Sequence, residues 1–180
     1  MSDHPVKYYE PKVLLPEAEI KARVRELAKK INEKYGTQEI TAICMIKGGL
    51  PFFTDLIRLL TMPVTCEFLG LSSYGVQSQS TGEVKVTLDL SEPLAGKHVL
   101  IVEDIVDTGL TLNYTLDYLK MRKPASLKIA TLLFKPSALK VKTLKLDYVG
   151  FEIPNHFVVG YGLDYAEKFR GLPYIGIVQS

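Results

Sequence analysis

Glu103, Asp104 and Asp107 gather where a buried strand gives out, and the turn behind them contains Thr108, Gly109 and Thr111. The strand is Val99-Leu100-Ile101-Val102, an unbroken, mostly β-branched run of the kind a parallel sheet buries on both faces. Ligands of open α/β sheets bind just beyond the carboxyl ends of such strands. Three acids at that point are therefore placed for chemistry, since a core would not tolerate them. The turn offers backbone N–H groups, two hydroxyls and a helix N-terminus. Those donors suit a phosphate, because free amides and the positive end of the helix dipole both favour anions. A competing reading makes Asp107 a helix cap and nothing more. It accounts for Asp107 and Thr108 but leaves Glu103 and Asp104 side by side without a reason.

The elements that must position these residues follow from periodicity. Ile20, Val24, Leu27, Ala28 and Ile31 recur at helical spacing between Glu17 and Tyr35, with Gly36 as the stop; Lys29, Lys30 and Lys34 fall on the solvated face. Ile40–Ile46 reads as a buried strand, Lys47-Gly48-Gly49 as a turn, Leu50–Leu60 as a helix and Val64–Leu69 as a strand. Leu71–Gly82 is small, polar and aperiodic with one aromatic, Tyr74, which marks a functional loop or a disordered one. Val84–Leu88, Leu127–Phe134, Tyr148–Phe151, Phe157–Val159 and Tyr174–Val178 read as strands, and Leu110–Met121 as a helix. Strands alternating with helices predict an α/β fold with a mostly parallel sheet flanked by helices, formed by a single domain over residues 1–180.

Composition narrows the function. At 180 residues the chain can bury a real core, and its 47% hydrophobic and 23% charged content is ordinary for a globular protein. A net charge of +2 argues against nucleic acid or an anionic membrane as partner. The N-terminal Met-Ser-Asp-His-Pro lacks the regions of a signal peptide, and no apolar run reaches membrane-span length, so a cytoplasmic location is expected. Cys44 and Cys66 lie in apolar β-like runs without metal-ligand spacing, and are expected to be buried small hydrophobes; His4, His98 and His156 are scattered. No Gly-x-x-x-x-Gly-Lys-Ser/Thr occurs, which leaves a P-loop nucleotidase unsupported.

The run from Glu103 to Thr111 resembles the phosphoribosyl-pyrophosphate (PRPP) signature of type I phosphoribosyltransferases: apolar strand, Glu-Asp, two apolar residues, Asp-Thr-Gly-x-Thr. With Ile46-Lys47-Gly48-Gly49, Ser73-Tyr74-Gly75, Lys135 and the stretch from Val149 to Arg170, the chain resembles the hypoxanthine-guanine phosphoribosyltransferases from its first helix to its last strand. The resemblance implies the type I fold with a small hood formed by the N- and C-terminal segments. It also implies purine salvage, with the 5-phosphoribosyl group passing from PRPP to hypoxanthine or guanine. A xanthine-preferring enzyme and a nucleotide-sensing regulator are the alternatives. By the same resemblance, Glu103 and Asp104 hold the ribose, and Asp107, Thr108, Gly109, Leu110 and Thr111 cradle the 5′-phosphate. Leu110 replaces a lysine found in many relatives. Asp107 is also the catalytic acid–base at purine N7. Lys47, Gly48 and Arg170 bind pyrophosphate, and the peptide before Lys47 is one that is often cis in relatives. Ser73 and Tyr74 belong to a lid that excludes water. Lys135 donates to a 6-oxo group, which disfavours adenine; Phe157 stacks on the purine, and Val158 and Asp164 meet its edge. Mg2+ is implied, held by Asp164 with Glu103 and Asp104 acting through water. The assembly implied is a homodimer or homotetramer.

Overall fold

In the structure, a computed structural model, residues 10–73 and 84–178 are described, Ser73 and Val84 through their backbone alone. The chain runs β1 (Lys12–Leu15), α1 (Glu17–Tyr35), β2 (Ile40–Ile46), α2 (Leu50–Ile57), β3 (Val64–Ser73), β4 (Val84–Leu88), β5 (His98–Val106) and α3 (Leu110–Lys120). It continues through β6 (Ser126–Phe134), a 3₁₀ turn at Pro136–Ala138, β7 (Tyr148–Glu152), β8 (Val158–Val159) and β9 (Ile175–Ile177). Six strands form the main sheet in the order β4-β3-β2-β5-β6-β7. All neighbours are parallel except β4, which pairs antiparallel with β3 at one edge. The hood is a second sheet, β1-β9-β8, antiparallel and made from the two ends of the chain.

Alternation along the strands builds two cores. Ala42, Cys44, Leu100, Val102, Ala130 and Leu132 face α1 and α2, while Ile43, Met45, Val99, Ile101 and Ile129 face α3. The first core continues into the hood through Leu15, Val158, Tyr161 and Ile175, so the two sheets share apolar packing. α1 buries Ile20, Val24, Leu27, Ala28, Ile31 and Tyr35, and Gly36 ends it at φ +58°, with its N–H on Asn32 O at 2.8 Å.

Several expectations need correction. α2 stops at Ile57 instead of Leu60, because Leu59 and Leu60 donate to Leu56 and Ile57, one residue short of helical bonding. β3 extends past Leu69 to Ser73, where pairing with β4 sustains it. β5 extends through the acids to Val106, so Glu103 and Asp104 lie within the strand and Asp107 begins the turn. Cys44 is buried as expected, but Cys66 is exposed on β3, outboard of the helices. β1 has one buried side chain in four and leaves no periodic trace.

Candidate active site

Strand order decides where the site forms. From β2 the chain proceeds outward through β3 to β4, then returns to β5 on the other side of β2 and proceeds through β6 to β7. The loops leaving β2 and β5 therefore diverge between neighbouring strands and open a crevice, the switch point at which α/β sheets take their ligands. The loop after β2 is Lys47-Gly48-Gly49; the loop after β5 is Asp107-Thr108-Gly109. Two stretches 60 residues apart in the chain thus face one space.

On the β5 side, residues 103–109 with 111 and 112 line a cleft of about 190 Å³. Gly109 precedes α3 at φ +79°, and a Cβ there would come within 2.8 Å of Leu139 Cδ1. The first backbone bond of α3 runs from Asn113 N to Gly109 O at 2.9 Å, so the amides before Asn113 have no partner within the helix. Thr108 Oγ1 accepts from Leu110 N at 3.4 Å, and Thr108 O from Lys140 N at 2.9 Å. Leu110 is exposed at the head of the helix.

Glu103 and Asp104 form the cleft floor beside Gly48. Burial, reinforced by the Asp104 charge, raises the Glu103 carboxyl well above the usual carboxylate range. Burial also raises Asp104, against the pull of the Arg170 guanidinium. Asp104 Oδ1 accepts from Ile105 N at 2.9 Å, while a Cβ on Gly48 would lie 1.7 Å from Asp104 Oδ2. The β2 loop thus presses bare backbone on the acid. The Ile46–Lys47 peptide is cis.

The third side comes from the segment after β8. Gly160, Tyr161, Gly162, Ala166, Glu167 and Phe169 all have positive φ, a density of left-handed backbone that concentrates at functional sites. Gly162 lies so near the β2 loop that a Cβ would approach Gly48 O to 2.0 Å. Arg170 donates to Gly162 O at 2.9 Å and pairs with Asp164 at 2.8 Å and Glu167 at 3.3 Å. Among the described residues its Nε is buried without a partner. Lys47 reaches Glu167 at 3.0 Å, and these cations hold the Glu167 carboxyl below its usual range. Asp164 Oδ2 accepts from Glu167 N at 2.8 Å. Lys47, Gly48, Asp164 and Arg170, scattered in sequence, therefore meet in one network, with Arg170 within electrostatic reach of Asp104.

Lys135, at the end of β6, is 6% exposed and donates to Asp107 Oδ2 at 2.9 Å. The pair buries an ammonium against a carboxylate that is itself partly open to the cleft. Phe157 is exposed at the hood's edge and meets Tyr165 edge-on, ring centroids 5.6 Å apart at 84°. Val158 is buried. Ser73 ends β3, and Tyr74 lies outside the described residues. The sequence reading missed Glu167, Tyr165 and Gly162. The Gly-x-Gly at 160–162 was the available signal, since paired glycines mark close backbone approach.

Comparison with known proteins follows the same line. The phosphoribosyl transferase domain family matches residues 13–166. A hypoxanthine-guanine phosphoribosyltransferase of Bacillus subtilis is 48% identical over 168 residues, covering 93% of both chains. The crystal structure of a hypoxanthine-guanine phosphoribosyltransferase from Bacillus anthracis, with HEPES in its active site, superposes with a TM-score of 0.89 at 46% identity, over 94% of this chain and all of that one. A Trypanosoma cruzi hypoxanthine phosphoribosyl transferase, studied for the role of its C-terminal region in oligomeric state and activity, reaches 0.88 at 43% identity, covering 96% of this chain and 94% of the other.

Proposed function

This chain belongs to the phosphoribosyltransferase family, and on that premise we propose how its residues carry the family's reaction. It is a pentosyltransferase of purine salvage that moves the 5-phosphoribosyl group from PRPP to hypoxanthine or guanine and releases pyrophosphate. The names of its relatives favour neither a xanthine-preferring enzyme nor a regulator.

One observation carries the assignment of residues: the loops after β2 and β5 flank the crevice at the switch point, with Gly48 against Asp104. The 5′-phosphate takes the amides and hydroxyls of Asp107–Thr111 at the head of α3. Glu103 and Asp104 accept from the ribose hydroxyls, which offers two crowded carboxylates the donors they lack. Pyrophosphate lies on the Lys47–Gly48 backbone and Arg170, whose guanidinium is held in place by Gly162 O and Asp164. The transition state puts positive charge on the sugar and negative charge on the leaving group, so donors held in place before reaction are what speed it. Phe157 stacks on the purine, with Tyr165 bracing its edge, and the Val158 backbone meets the base. Lys135 donates to the 6-oxo group while Asp107 handles the N7 proton, and their hydrogen bond makes proton transfer and base recognition one unit.

The donor set fits Mg2+. Among the described residues no cluster of three metal ligands exists, and Asp164 pairs with Arg170, one of the pyrophosphate donors, at 2.8 Å. A cation that keeps water and takes most oxygens from substrate suits such a site. When bound, Mg2+ would neutralise the leaving group; Asp164 would hold it, with Glu103 and Asp104 acting through water.

We assign residues 1–180 to one phosphoribosyltransferase domain acting in the cytoplasm; among the described residues no helix is long and apolar enough to cross a membrane. We also assign it to a homodimer or homotetramer. Exposed Phe68, whose ring meets Phe53 of α2 at 5.7 Å, and exposed Leu50 on the same helix support an assembly through that side of the molecule. The test of the reaction is PRPP and Mg2+ with each of hypoxanthine, guanine, xanthine and adenine, following nucleotide formation. IMP and GMP are the expected products, and AMP as the main product would overturn the role of Lys135.

A further inference from the structure

Asp55 sits on α2, away from the cleft, in a groove shared with Lys21, Arg25 and Arg58. Among the described residues none of these cations forms an ion pair with it. It accepts instead from the hydroxyl of Tyr161 at 2.6 Å, across 106 positions of sequence. Tyr161 is buried and stands between Gly160 (φ +95°) and Gly162 (φ +102°), itself at φ +48°, a left-handed conformation an aromatic residue adopts only at a cost. Something must over-determine that conformation, and the hydroxyl–carboxylate bond is placed to do so.

The contacts close a ring. α2 begins directly after the Lys47–Gly49 turn, and Phe53 N donates to Gly49 O at 2.8 Å, fixing the turn to the helix. A little over a turn later Asp55 grips Tyr161. The next residue, Gly162, backs on Gly48 O, and Gly162 O and N are held by the Arg170 guanidinium and Arg170 O, each at 2.9 Å. The helix that starts at the pyrophosphate turn therefore also holds, through one side-chain bond, the segment that carries Asp164 and Arg170.

We propose that Asp55 and Tyr161 are positioning residues for the pyrophosphate end of the site. Their hydrogen bond sets the distance between the Lys47–Gly49 turn and the Asp164–Arg170 segment. The proposal rests on the assignment of Lys47, Gly48 and Arg170 to pyrophosphate. Its main effect falls on PRPP, because Phe157, Val158 and Lys135, the chief purine contacts, lie outside the Asp164–Arg170 segment, which reaches the purine through Asp164 and Tyr165 only.

Steady-state kinetics with both substrates tests it. Tyr161→Phe, which removes one hydroxyl, is expected to raise the KM for PRPP on the order of tenfold, the scale of a lost hydrogen bond to a charged group. The KM for hypoxanthine should stay within about twofold, as expected where only one substrate's binding is affected. Asp55→Ala should match it, Asp55→Asn, which keeps an acceptor, should restore most of the PRPP affinity, and the double variant Tyr161→Phe/Asp55→Ala should be no worse than either single change. Arg170→Lys is the reference arm. If it raises the PRPP KM while Tyr161→Phe does not, the positioning role is wrong and the pyrophosphate assignment stands. If Arg170→Lys leaves the PRPP KM unchanged, that assignment fails and the positioning role falls with it. Equal rises for both substrates would reduce the pair to a general structural contact. Should Asp55→Ala not fold, Tyr161→Phe and Asp55→Asn still decide the matter.

Discussion

At the scale of single residues, the pairing of Asp107 with Lys135 governs what substitution will do. Asp107→Asn keeps an acceptor for the lysine and the backbone of the phosphate turn, but cannot take a proton. It should slow transfer by roughly 10²–10⁴, the usual worth of a lost acid–base group, with PRPP still bound. Single-turnover rates beside calorimetric titration of PRPP check both halves. Glu103 and Asp104 carry the opposite kind of consequence. A carboxyl raised in the folded state favours its protonated form there, so stability is lost as pH rises from the ordinary carboxylate range through the raised value, and the loss persists above it. Glu103→Gln should therefore raise the melting temperature of the ligand-free protein at neutral pH and flatten its fall with pH, while weakening PRPP binding. A melting temperature that drops at neutral pH would contradict this. Residue types were legible here: the acids and the Thr-Gly-x-Thr turn stood out because a buried strand cannot otherwise end that way. The Asp107–Lys135 contact was not, since nothing local joins positions 28 apart.

At the scale of elements, glycines set how closely loops approach. Gly48→Ala would drive a methyl into the Asp104 carboxylate, and Gly162→Ala would drive one into the Gly48 carbonyl from a backbone at φ +102°. Each should cost at least about 1–3 kcal/mol of stability, the range for overpacking. Both should also abolish saturable PRPP binding, measured by chemical denaturation and titration. Gly36→Ala meets open space but keeps a positive φ, so it should cost about 1–3 kcal/mol and leave kinetics alone. Helix α1 was readable because its apolar residues repeat at helical spacing and Gly36 closes it. The ends of α2 and β3 were not, because Leu59 and Leu60 continue an apolar pattern where the chain tightens, and β3 is prolonged by β4. β1 exists because β9 pairs with it, a partner 160 residues downstream.

At the scale of the whole molecule, the proposed assembly has a candidate face in exposed Phe68, which packs on Phe53 of α2. Phe68→Glu should shift the protein to a smaller species in light scattering after size exclusion, and an unchanged mass would place the interface elsewhere. The exposure of Cys66 belongs to the same face of β3 as Phe68: an apolar run predicts burial, yet the side chain is exposed. What the amino-acid order determined alone was the alternation of strands and helices and the chemistry of each turn. Those depend on neighbours within a few positions, through periodicity and backbone preference. Tertiary structure alone decided that β2 and β5 lie side by side, that Gly48 rests on Asp104 and Gly162 on Gly48, and that Lys135 holds Asp107. Such contacts arise from packing between distant segments, where the sheet's order of strands, and no local propensity, chooses which residues meet.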